Sequence, residues 1–324
     1  MSLPHLDSIG FTTADLEASV AFYTQRLGFR RLGEPLALDG GGYADLVGLP
    51  EARLRLQRLA IGSEVLELSQ VLDPGAHARP GRPISQEARS NDRSFQHICL
   101  VVNSIEAALE PLRADLASGR LRPISSGPQR LPDWNPGAAG IVAFKFRDPE
   151  GHALELLQFP ADKGEARWHQ AAAGPLLGID HSAIGVAATA ATCRFYDELI
   201  GLRLGGDGIN SGVEQDQLDG LAGTRVRITA HRCGQGAGIE ALNYLEPAGG
   251  RPLPGDQGPQ DLAHWQLRLR VADLDSLLAR VEACGGRVVS PGIVDLGDQA
   301  ELIGARRALQ LADPDGHRLQ LLEG

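Results

Sequence analysis

The sequence is poor in lysine, in cysteine and in long apolar runs. Of the 31 basic residues only Lys145 and Lys163 are lysines, which we interpret as a coding bias and not as a functional signal. The four cysteines lie far apart without a Cys-x-x-Cys pair, so reduced thiols in a cytoplasmic protein are expected. No apolar run approaches the roughly 18 residues needed to cross a bilayer. Residues 1–5 do not begin a basic region followed by an apolar one, so no signal peptide is expected.

The charge balance is acidic. A formal net charge of −10 and a pI of about 5.4 argue against nucleic acid or an anionic membrane as the main partner. A hydrophobic content of 43% with 22% charged residues is typical of a soluble globular protein. The 324 residues are enough for two domains, each with a sizeable core.

A turn followed by an apolar strand occurs twice. Residues 148–157 are Asp-Pro-Glu-Gly-His-Ala-Leu-Glu-Leu-Leu, and residues 313–322 are Asp-Pro-Asp-Gly-His-Arg-Leu-Gln-Leu-Leu. Within the apolar part of each, one residue is polar: Glu155 in the first copy and Gln320 in the second. The chain is therefore an internal duplication whose two copies are chemically unequal.

Further repeats support this duplication. Phe22-Tyr23 recurs 173 residues later as Phe195-Tyr196, and the two Asp-Pro turns are 165 residues apart, which indicates small loop deletions. Each half itself looks doubled, because a strand, an amphipathic helix and further strands follow one another twice. Asp15 is predicted to be the N-cap of the first helix. The predicted divisions are an N-terminal domain at 1–165, a C-terminal domain at 175–324 and a linker at 160–175.

Strand alternation sets single ionisable residues against apolar faces. In residues 153–157, Glu155 lies opposite Leu154 and Leu156. The same alternation separates an ionisable residue from the apolar face in three other strands, at Glu67, His97 and His181. The apolar faces are expected to lie under the helices, and the ionisable residues should face a shared concavity.

These patterns resemble a known superfamily. Residues 6–9, Phe22-Tyr23 and residues 178–181 resemble the module openings of the vicinal oxygen chelate superfamily, and residues 148–155 resemble its closing strand. That superfamily includes glyoxalase I, fosfomycin- and bleomycin-resistance proteins, methylmalonyl-CoA epimerase and extradiol dioxygenases. The resemblance implies an α+β fold of four βαβββ modules paired into two cup-shaped mixed-sheet domains. Modules 1 and 2 are expected to form the N-terminal cup, and modules 3 and 4 the C-terminal cup.

The resemblance also implies four potential ligand positions in each cup, on the opening and closing strands of its two modules. In the N-terminal cup they are Ser8, Glu67, His97 and Glu155, and in the C-terminal cup His181, Glu240, Gln266 and Gln320. We predict a metal site at Glu67, His97 and Glu155, and a weaker one at His181, Glu240 and Gln266. The alternatives are that Glu155 pairs with an arginine, and that His181 and Glu240 form a hydrogen-bonded interior pair.

Two carboxylates and an imidazole would suit an Fe, Mn, Co, Ni or Zn ion acting as a Lewis acid on a small oxygen-rich metabolite. Glu67 or Glu155 would then move a proton. A ring-cleaving dioxygenase requires two histidines and one carboxylate in one cavity, whereas each half has one histidine at a ligand position. The sequence therefore favours an enzyme of the isomerase, epimerase or lyase kind. The alternative is a metal-free protein that binds or sequesters a small molecule, as bleomycin-resistance proteins do.

The loop at residues 127–136 has no counterpart in the fourth module and contains Trp134 and Asn135. We predict that these two residues and Ser8 contact a small-molecule substrate, with a domain-packing loop as the alternative. A homodimer is left open. His152, which follows a turn glycine, is interpreted as structural.

Overall fold

The computed structural model describes residues 3–170 and 174–323. Three residues of the predicted linker, 171–173, lie outside the described residues. The chain forms two mixed sheets of nine strands each, which carry helices on their faces. This arrangement confirms the predicted α+β class with two cup-shaped sheets.

The strands follow the four predicted modules. The first module contains β1 (His5–Thr12), β2 (Arg30–Asp39), β3 (Arg53–Ile61) and β4 (Glu64–Asp73). The second contains β5 (Gln96–Val102), β6 (Arg122–Pro123), β7 (Gln129–Arg130), β8 (Val142–Arg147) and β9 (Ala153–Gln158). The third contains β10 (Leu176–Gly185), β11 (Arg203–Ser211), β12 (Arg225–Arg232) and β13 (Gly238–Glu246). The fourth contains β14 (Trp265–Arg270), β15 (Arg287–Val288), β16 (Val294–Asp295), β17 (Arg307–Ala312) and β18 (Arg318–Glu323).

The helices are short, and most follow an opening strand or lie between later strands of a module. The α-helices are α1 (Leu16–Gln25), α2 (Gly41–Val47), α3 (Ile105–Leu109), α4 (Arg113–Ala117), α5 (Thr189–Cys193), α6 (Val213–Asp219), α7 (Leu274–Leu278) and α8 (Ala300–Ile303). Helix α5 continues as a π-helix over Arg194–Ile200, and 3₁₀ turns cover Glu110–Leu112, Ala166–His169, Glu282–Cys284 and Gly297–Gln299. As predicted, Asp15 caps α1, because its carboxylate accepts a hydrogen bond from the amide of Ala18 at 3.0 Å.

The two sheets do not correspond to the two halves of the sequence. Cup A has the strand order β15-β17-β18-β14-β1-β4-β3-β2, with β16 beside β17, and joins the first and fourth modules. Cup B has the order β11-β12-β13-β10-β5-β9-β8-β6, with β7 beside β8, and joins the second and third modules. The expectation that modules 1 and 2 share one cup and modules 3 and 4 the other is therefore wrong. The sequence boundaries at 1–165 and 175–324 stay a prediction.

Antiparallel pairs of opening strands join the modules, β1 with β14 in cup A and β5 with β10 in cup B. All four opening strands alternate in the same way, so the local pattern does not specify which of them pair. Contacts between the connections that precede modules 2 and 4 accompany this exchange. Arg82 donates to Asp261 at 3.1 Å, and Arg251 donates to Asp92 at 2.7 Å.

The apolar strand faces pack against the helices as predicted. Ile98, Leu100, Leu154 and Leu156 belong to one buried cluster to which all four modules contribute. Because alternate residues point to opposite faces, the ionisable residues between them lie on the concave faces. Among the described residues, no helix is long and apolar enough to span a bilayer.

Inserted segments cover the concave faces. In cup A, α2 and α8 bring Tyr43, Leu46 and Ile303 into a second buried cluster. In cup B, the β7–β8 connection and α6 contribute Leu131 and Leu218 to a third cluster. Side chains on the concave faces are therefore shielded from water except where these covering segments leave an opening.

Candidate metal centre

Four ionisable side chains meet on the concave face of cup B: His97 of β5, Glu155 of β9, His181 of β10 and Glu240 of β13. Strands β5 and β9 are parallel neighbours, as are β10 and β13, and the two pairs meet along the antiparallel β5–β10 join. The second and the third module thus each supply one histidine from the opening strand and one glutamate from the closing strand. The result is an approximately twofold cluster of two imidazoles and two carboxylates.

Short side chains lie between these groups. Cys99 lies opposite Glu155 on one side and opposite His181 on the other, and Ala183 occupies the twofold-related place. Neither side chain is basic, so these two positions bring no cation among the four functional groups.

Two overlapping sets of three residues have ligand atoms within 4.8 Å of one another: His97, Glu155 and His181, and Asp180, His181 and Glu240. His97 Nε2 lies 3.1 Å from Glu155 Oε2, and His181 Nε2 lies 3.8 Å from the same oxygen and 3.4 Å from Glu240 Oε2. Two ligand atoms about 2.1 Å from a single metal ion are about 3.0 Å apart at octahedral angles and about 3.4 Å apart at tetrahedral angles. Nitrogen and carboxylate oxygen are the donors that divalent transition metals accept. The residues present therefore fit such an ion.

A carboxylate holds the ring of His181. A bulge in β10 lets consecutive residues contact each other, and His181 Nδ1 donates to Asp180 Oδ2 at 2.9 Å. The other oxygen of Asp180 accepts from Trp168 Nε1 at 3.3 Å. With Nδ1 used as a donor, Nε2 is left as the ligand atom. Among the described residues, Nδ1 of His97 has no such partner, so the two rings are held unequally.

The pKa values of the cluster favour a positive charge at its centre. Burial lowers the pKa of His97 to about 4, partly opposed by Glu155. Burial raises the pKa of Glu155, but Lys145 and then His97 outweigh it and lower that pKa to about 2. Burial lowers the pKa of His181, but the carboxylates around it, Glu240 first, raise it to about 9. A proton on His181 or a bound cation would satisfy the same carboxylates.

A second buried charge pair lies beside this cluster. Lys145, opposite Glu155 in the β8–β9 register, donates to Asp219 of α6 at 2.7 Å. Asp219 also accepts from the hydroxyl of Tyr244 at 3.0 Å and from Gln215 at 2.8 Å. This network fixes α6 over the concave face and places a cation next to Glu155. Lys145 was not among the predicted site residues, although a lysine within the apolar run 142–146 was an available signal.

The equivalent place in cup A holds a guanidinium group. Arg268 of β14 donates to both carboxylate oxygens of Glu67, at 2.5 and 2.6 Å, and to Gln320 Oε1 at 3.1 Å. Gln320 in turn donates to Gln266 Oε1 at 3.0 Å. Arg268 and Glu67 are each 2% exposed, so a buried ion pair fills the site that the sequence had assigned to metal ligands.

The structure therefore regroups the predicted site residues. It brings together His97, Glu155, His181 and Glu240, which came from both predicted sets. It places Ser8, Glu67, Gln266 and Gln320 in cup A. Two predictions are therefore wrong, because each cup pairs modules from different halves of the chain. Glu67 is not a ligand with His97 and Glu155. Gln266 is not a ligand with His181 and Glu240. For the same reason Ser8 does not reach a substrate at the cluster.

The pairing of modules 2 and 3 in one cup also removes one argument against oxygenase chemistry. The rings of His97 and His181 share cup B, with centroids 5.9 Å apart. The expectation of one histidine per cup is therefore wrong.

The loop that contains Trp134 and Asn135 lies at the rim of cup B. It connects β7 to β8, and Asn135 Nδ2 donates to Asn210 Oδ1 of the edge strand β11 at 2.6 Å. Trp134 beside it is 59% exposed. The loop thus reaches from the second module to the far edge of the third, across the opening of the cup. Contact of Trp134 and Asn135 with a substrate stays a prediction.

Comparison with known proteins identifies the same fold. Residues 5–156 match the Glyoxalase/Bleomycin resistance protein/Dioxygenase superfamily, and residues 181–322 match a Glyoxalase-like domain. Glyoxalase I from Zea mays is similar with a TM-score of 0.62 at 12% identity, over 99% of this chain and 92% of that one. A Bacillus subtilis protein provisionally named a dioxygenase has a TM-score of 0.54 at 14% identity, over 99% and 86%. No curated protein matches the chain.

Proposed function

The chain belongs to the glyoxalase/bleomycin resistance/dioxygenase superfamily, and from that premise we propose that cup B is the active site of a metal-dependent enzyme acting on a small oxygen-rich metabolite. The observation that carries this proposal is that the ligand atoms of His97, Glu155 and His181 lie within 4.8 Å of one another, with Glu240 Oε2 3.4 Å from His181 Nε2. A bound Fe, Mn, Co, Ni or Zn ion would supply Lewis-acid polarisation of adjacent substrate oxygens.

We assign different roles to the two glutamates. The side chain of Glu155 is 7% exposed and contacts His97, which suits a permanent ligand. The side chain of Glu240 is 22% exposed, so it is the carboxylate that a substrate can reach. Glu240 would take a proton from the carbon next to a substrate carbonyl and return it to a neighbouring atom. The favoured reaction class is therefore isomerisation or epimerisation.

The covering segments would exclude water from this transfer. Helix α6, held by the pair of Lys145 and Asp219, lies over the concave face, and the loop anchored by Asn135 spans the rim. A site closed in this way limits loss of a transferred proton to bulk solvent.

A second candidate function is ring cleavage by a dioxygenase. It is favoured by the grouping of His97, Glu155 and His181, which are two imidazoles and one carboxylate in one cup. Glu240, a second carboxylate beside His181, argues for proton transfer instead. The third candidate is a metal-free binding protein, for which the cluster would be a hydrogen-bonded interior set.

Metal titration of the purified, chelator-treated protein tests the proposal. We expect one equivalent of a divalent transition metal by elemental analysis, and strongly weakened binding in His97→Ala, Glu155→Gln and His181→Ala. Glu67→Gln is the matched control, because Glu67 is bonded to Arg268 in the other cup. If wild type binds no metal, the metal-free binding protein becomes the better account.

The reaction class needs a second assay on the metal-loaded protein. Exchange of the carbon-bound hydrogen of α-hydroxycarbonyl compounds with deuterium oxide, lost in Glu240→Gln while metal is retained, would support proton transfer. Oxygen uptake with catechols and no such exchange would support the dioxygenase alternative.

A further inference from the structure

We propose that the substrate of cup B carries an anionic group, a carboxylate or a phosphate, and that Arg232 and Arg203 bind it at the mouth of the cup. This inference rests on the proposed function, because the anionic group would belong to the same substrate whose other end the His/Glu cluster would hold.

An open cavity of about 490 Å³ reaches Asp180, the neighbour of His181 in β10. It is bounded by the third module on one side and by the β7–β8 connection and the segment after β9 on the other. Its charged lining residues are Lys163, Glu165, Asp180, Arg203 and Arg232. Asp180 connects the cavity to the cluster, since the same side chain holds the ring of His181. A molecule in the cavity is therefore next to a candidate metal ligand.

The carboxylates of this cavity already have partners. Asp180 accepts from His181 and Trp168, and Glu165 accepts from Arg167 at 2.8 Å. Their charges are therefore largely committed to groups of the protein.

The arginines of the cavity are not matched in this way. Arg203 and Arg232 lie directly opposite each other in the β11–β12 register. Within the described residues, Arg203 has no ion pair, and the carboxylate nearest to Arg232 is Asp180, 3.9 Å away and not hydrogen-bonded to it. Like charges directly opposite each other on neighbouring strands are unfavourable, and an anion between them would remove that repulsion.

Between these arginines and the cluster, strand β13 has a glycine and therefore no side chain at one position. Gly238 pairs with His181, and a Cβ built at Gly238 would lie 3.3 Å from Nη1 of Arg232. The guanidinium therefore lies over Gly238, two residues along β13 from Glu240. Two residues of strand span about 7 Å, so the anionic group and the chelating oxygens would be separated by a short chain of a few atoms.

Cup A provides an internal contrast. Arg232 lies two residues after the β12 residue that pairs with Glu240. In cup A, Ala60 lies two residues after the β3 residue that pairs with Glu67. Cup A has an apolar residue at that register position, and its own arginine, Arg58, donates to Asp7 at 2.9 Å. The contrast is therefore in pairing: the arginine of cup A is bonded to a carboxylate of the protein, whereas Arg232 is 3.9 Å from Asp180 and is left to bind another anion.

Three hydroxamates of matched length test the inference, because a hydroxamate chelates the metal and its tail can be varied. The probes are butyrohydroxamate, the monohydroxamate of succinic acid and 3-phosphonopropionohydroxamate. Calorimetry on the metal-loaded full chain should show an anionic tail binding roughly tenfold tighter than the neutral one, as one charge-assisted hydrogen bond gives. Arg232→Gln and Arg203→Gln should each reduce that preference. The anionic tail that increases the binding affinity more shows whether the substrate's group is a carboxylate or a phosphate.

The matched control is Arg225→Gln. Arg225 is an exposed arginine of the same strand that does not line the cavity, so the preference should persist. Equal affinity for neutral and anionic tails in wild type, or equal weakening of all three probes by Arg232→Gln, would overturn the inference and leave the metal site standing. If the protein takes up no metal, or if no hydroxamate binds the metal-loaded form, both the inference and the proposed function fail.

Discussion

Arg268 and Cys99 occupy equivalent positions in the two cups, one as a buried cation and the other as a small neutral side chain. They are 169 residues apart, as are Gln266 and His97 on the same strands. In cup A the guanidinium donates to both oxygens of Glu67, whereas in cup B Cys99 brings no cation between its strand neighbours Glu155 and His181. Each cup therefore holds a buried cation near its glutamate: Arg268 pairs with Glu67 itself, whereas Lys145 lies beside Glu155 but pairs with Asp219, which leaves Glu155 in contact with His97.

Glu67→Gln should destabilise the protein without changing its metal content. The substitution leaves Arg268 buried without its carboxylate, and breaking a buried ion pair costs about 3 to 5 kcal/mol. Urea unfolding at neutral pH measures the free energy of unfolding, and elemental analysis of the folded fraction measures the metal.

The double variant Glu67→Leu with Arg268→Met is the control for this result. Because apolar residues of similar size often replace a buried ion pair without loss, it should recover most of the stability. A loss of metal in Glu67→Gln as large as that in Glu155→Gln would contradict the separation of the two cups.

The sequence predicted the faces of the strands correctly but not the partners of the modules. Alternation around Glu155 and His97 is a local property, and both side chains lie on the concave face as predicted. The pairing of β5 with β10 is a long-range choice among opening strands with the same pattern, so spacing alone placed Glu67 with His97. The alternative to a metal site was that Glu155 pairs with an arginine. In the structure it is Glu67 that pairs with an arginine.

Two site features depend on contacts that spacing does not encode. Asp180 orients His181 because a bulge interrupts the alternation of β10, and a bulge has no reliable sequence signal here. Trp168 lies in the predicted linker, yet it is buried and donates to Asp180. These contacts could be identified only once the strands were assembled.

Asp180→Asn should weaken metal binding. The carboxylate fixes the tautomer and orientation of the His181 ring, and loss of such a partner typically costs about 10- to 100-fold in metal affinity. Competition titration with a metal-binding dye measures the affinity. Asp7→Asn is the matched control, because Asp7 occupies the corresponding place in cup A and bonds to Arg58 and Arg270. Equal effects of the two substitutions would mean that general destabilisation, not ring orientation, sets the affinity.

Asn135→Ala should loosen the loop over cup B. The lost hydrogen bond to Asn210 is worth about 0.5 to 1.5 kcal/mol, which would raise the rate of local opening severalfold. Hydrogen exchange of peptides from residues 131–140, followed by mass spectrometry, reports this opening. Asp133→Asn, which removes an exposed ion pair with Arg130 in the same loop, should leave the exchange nearly unchanged. If both variants exchange alike, Asn135 is not the anchor of the loop.

His152→Gln should reduce stability most at mildly acidic pH. Nδ1 of His152 faces the Asp148 carboxylate at 3.0 Å, and Nε2 faces the carbonyl oxygens of Thr12 and Leu262 at 3.0 and 2.9 Å, so both nitrogens must donate. Burial lowers the pKa of His152, but Asp148 outweighs it and raises that pKa, so the contribution is complete below about pH 6.5 and is lost as pH rises through the higher folded value.

The Asp148 carboxyl sets the lower limit of that window. Burial raises its pKa, but His152 outweighs this and lowers it, so the contribution of Asp148 is complete above about pH 4 and is lost at lower pH. The free-energy difference between wild type and His152→Gln, from urea unfolding, should therefore be largest between about pH 4 and 6.5 and should shrink towards pH 9. A difference that stays constant from pH 5 to pH 9 would show that His152 is neutral in the folded protein, with one of its two nitrogens left without a donor proton.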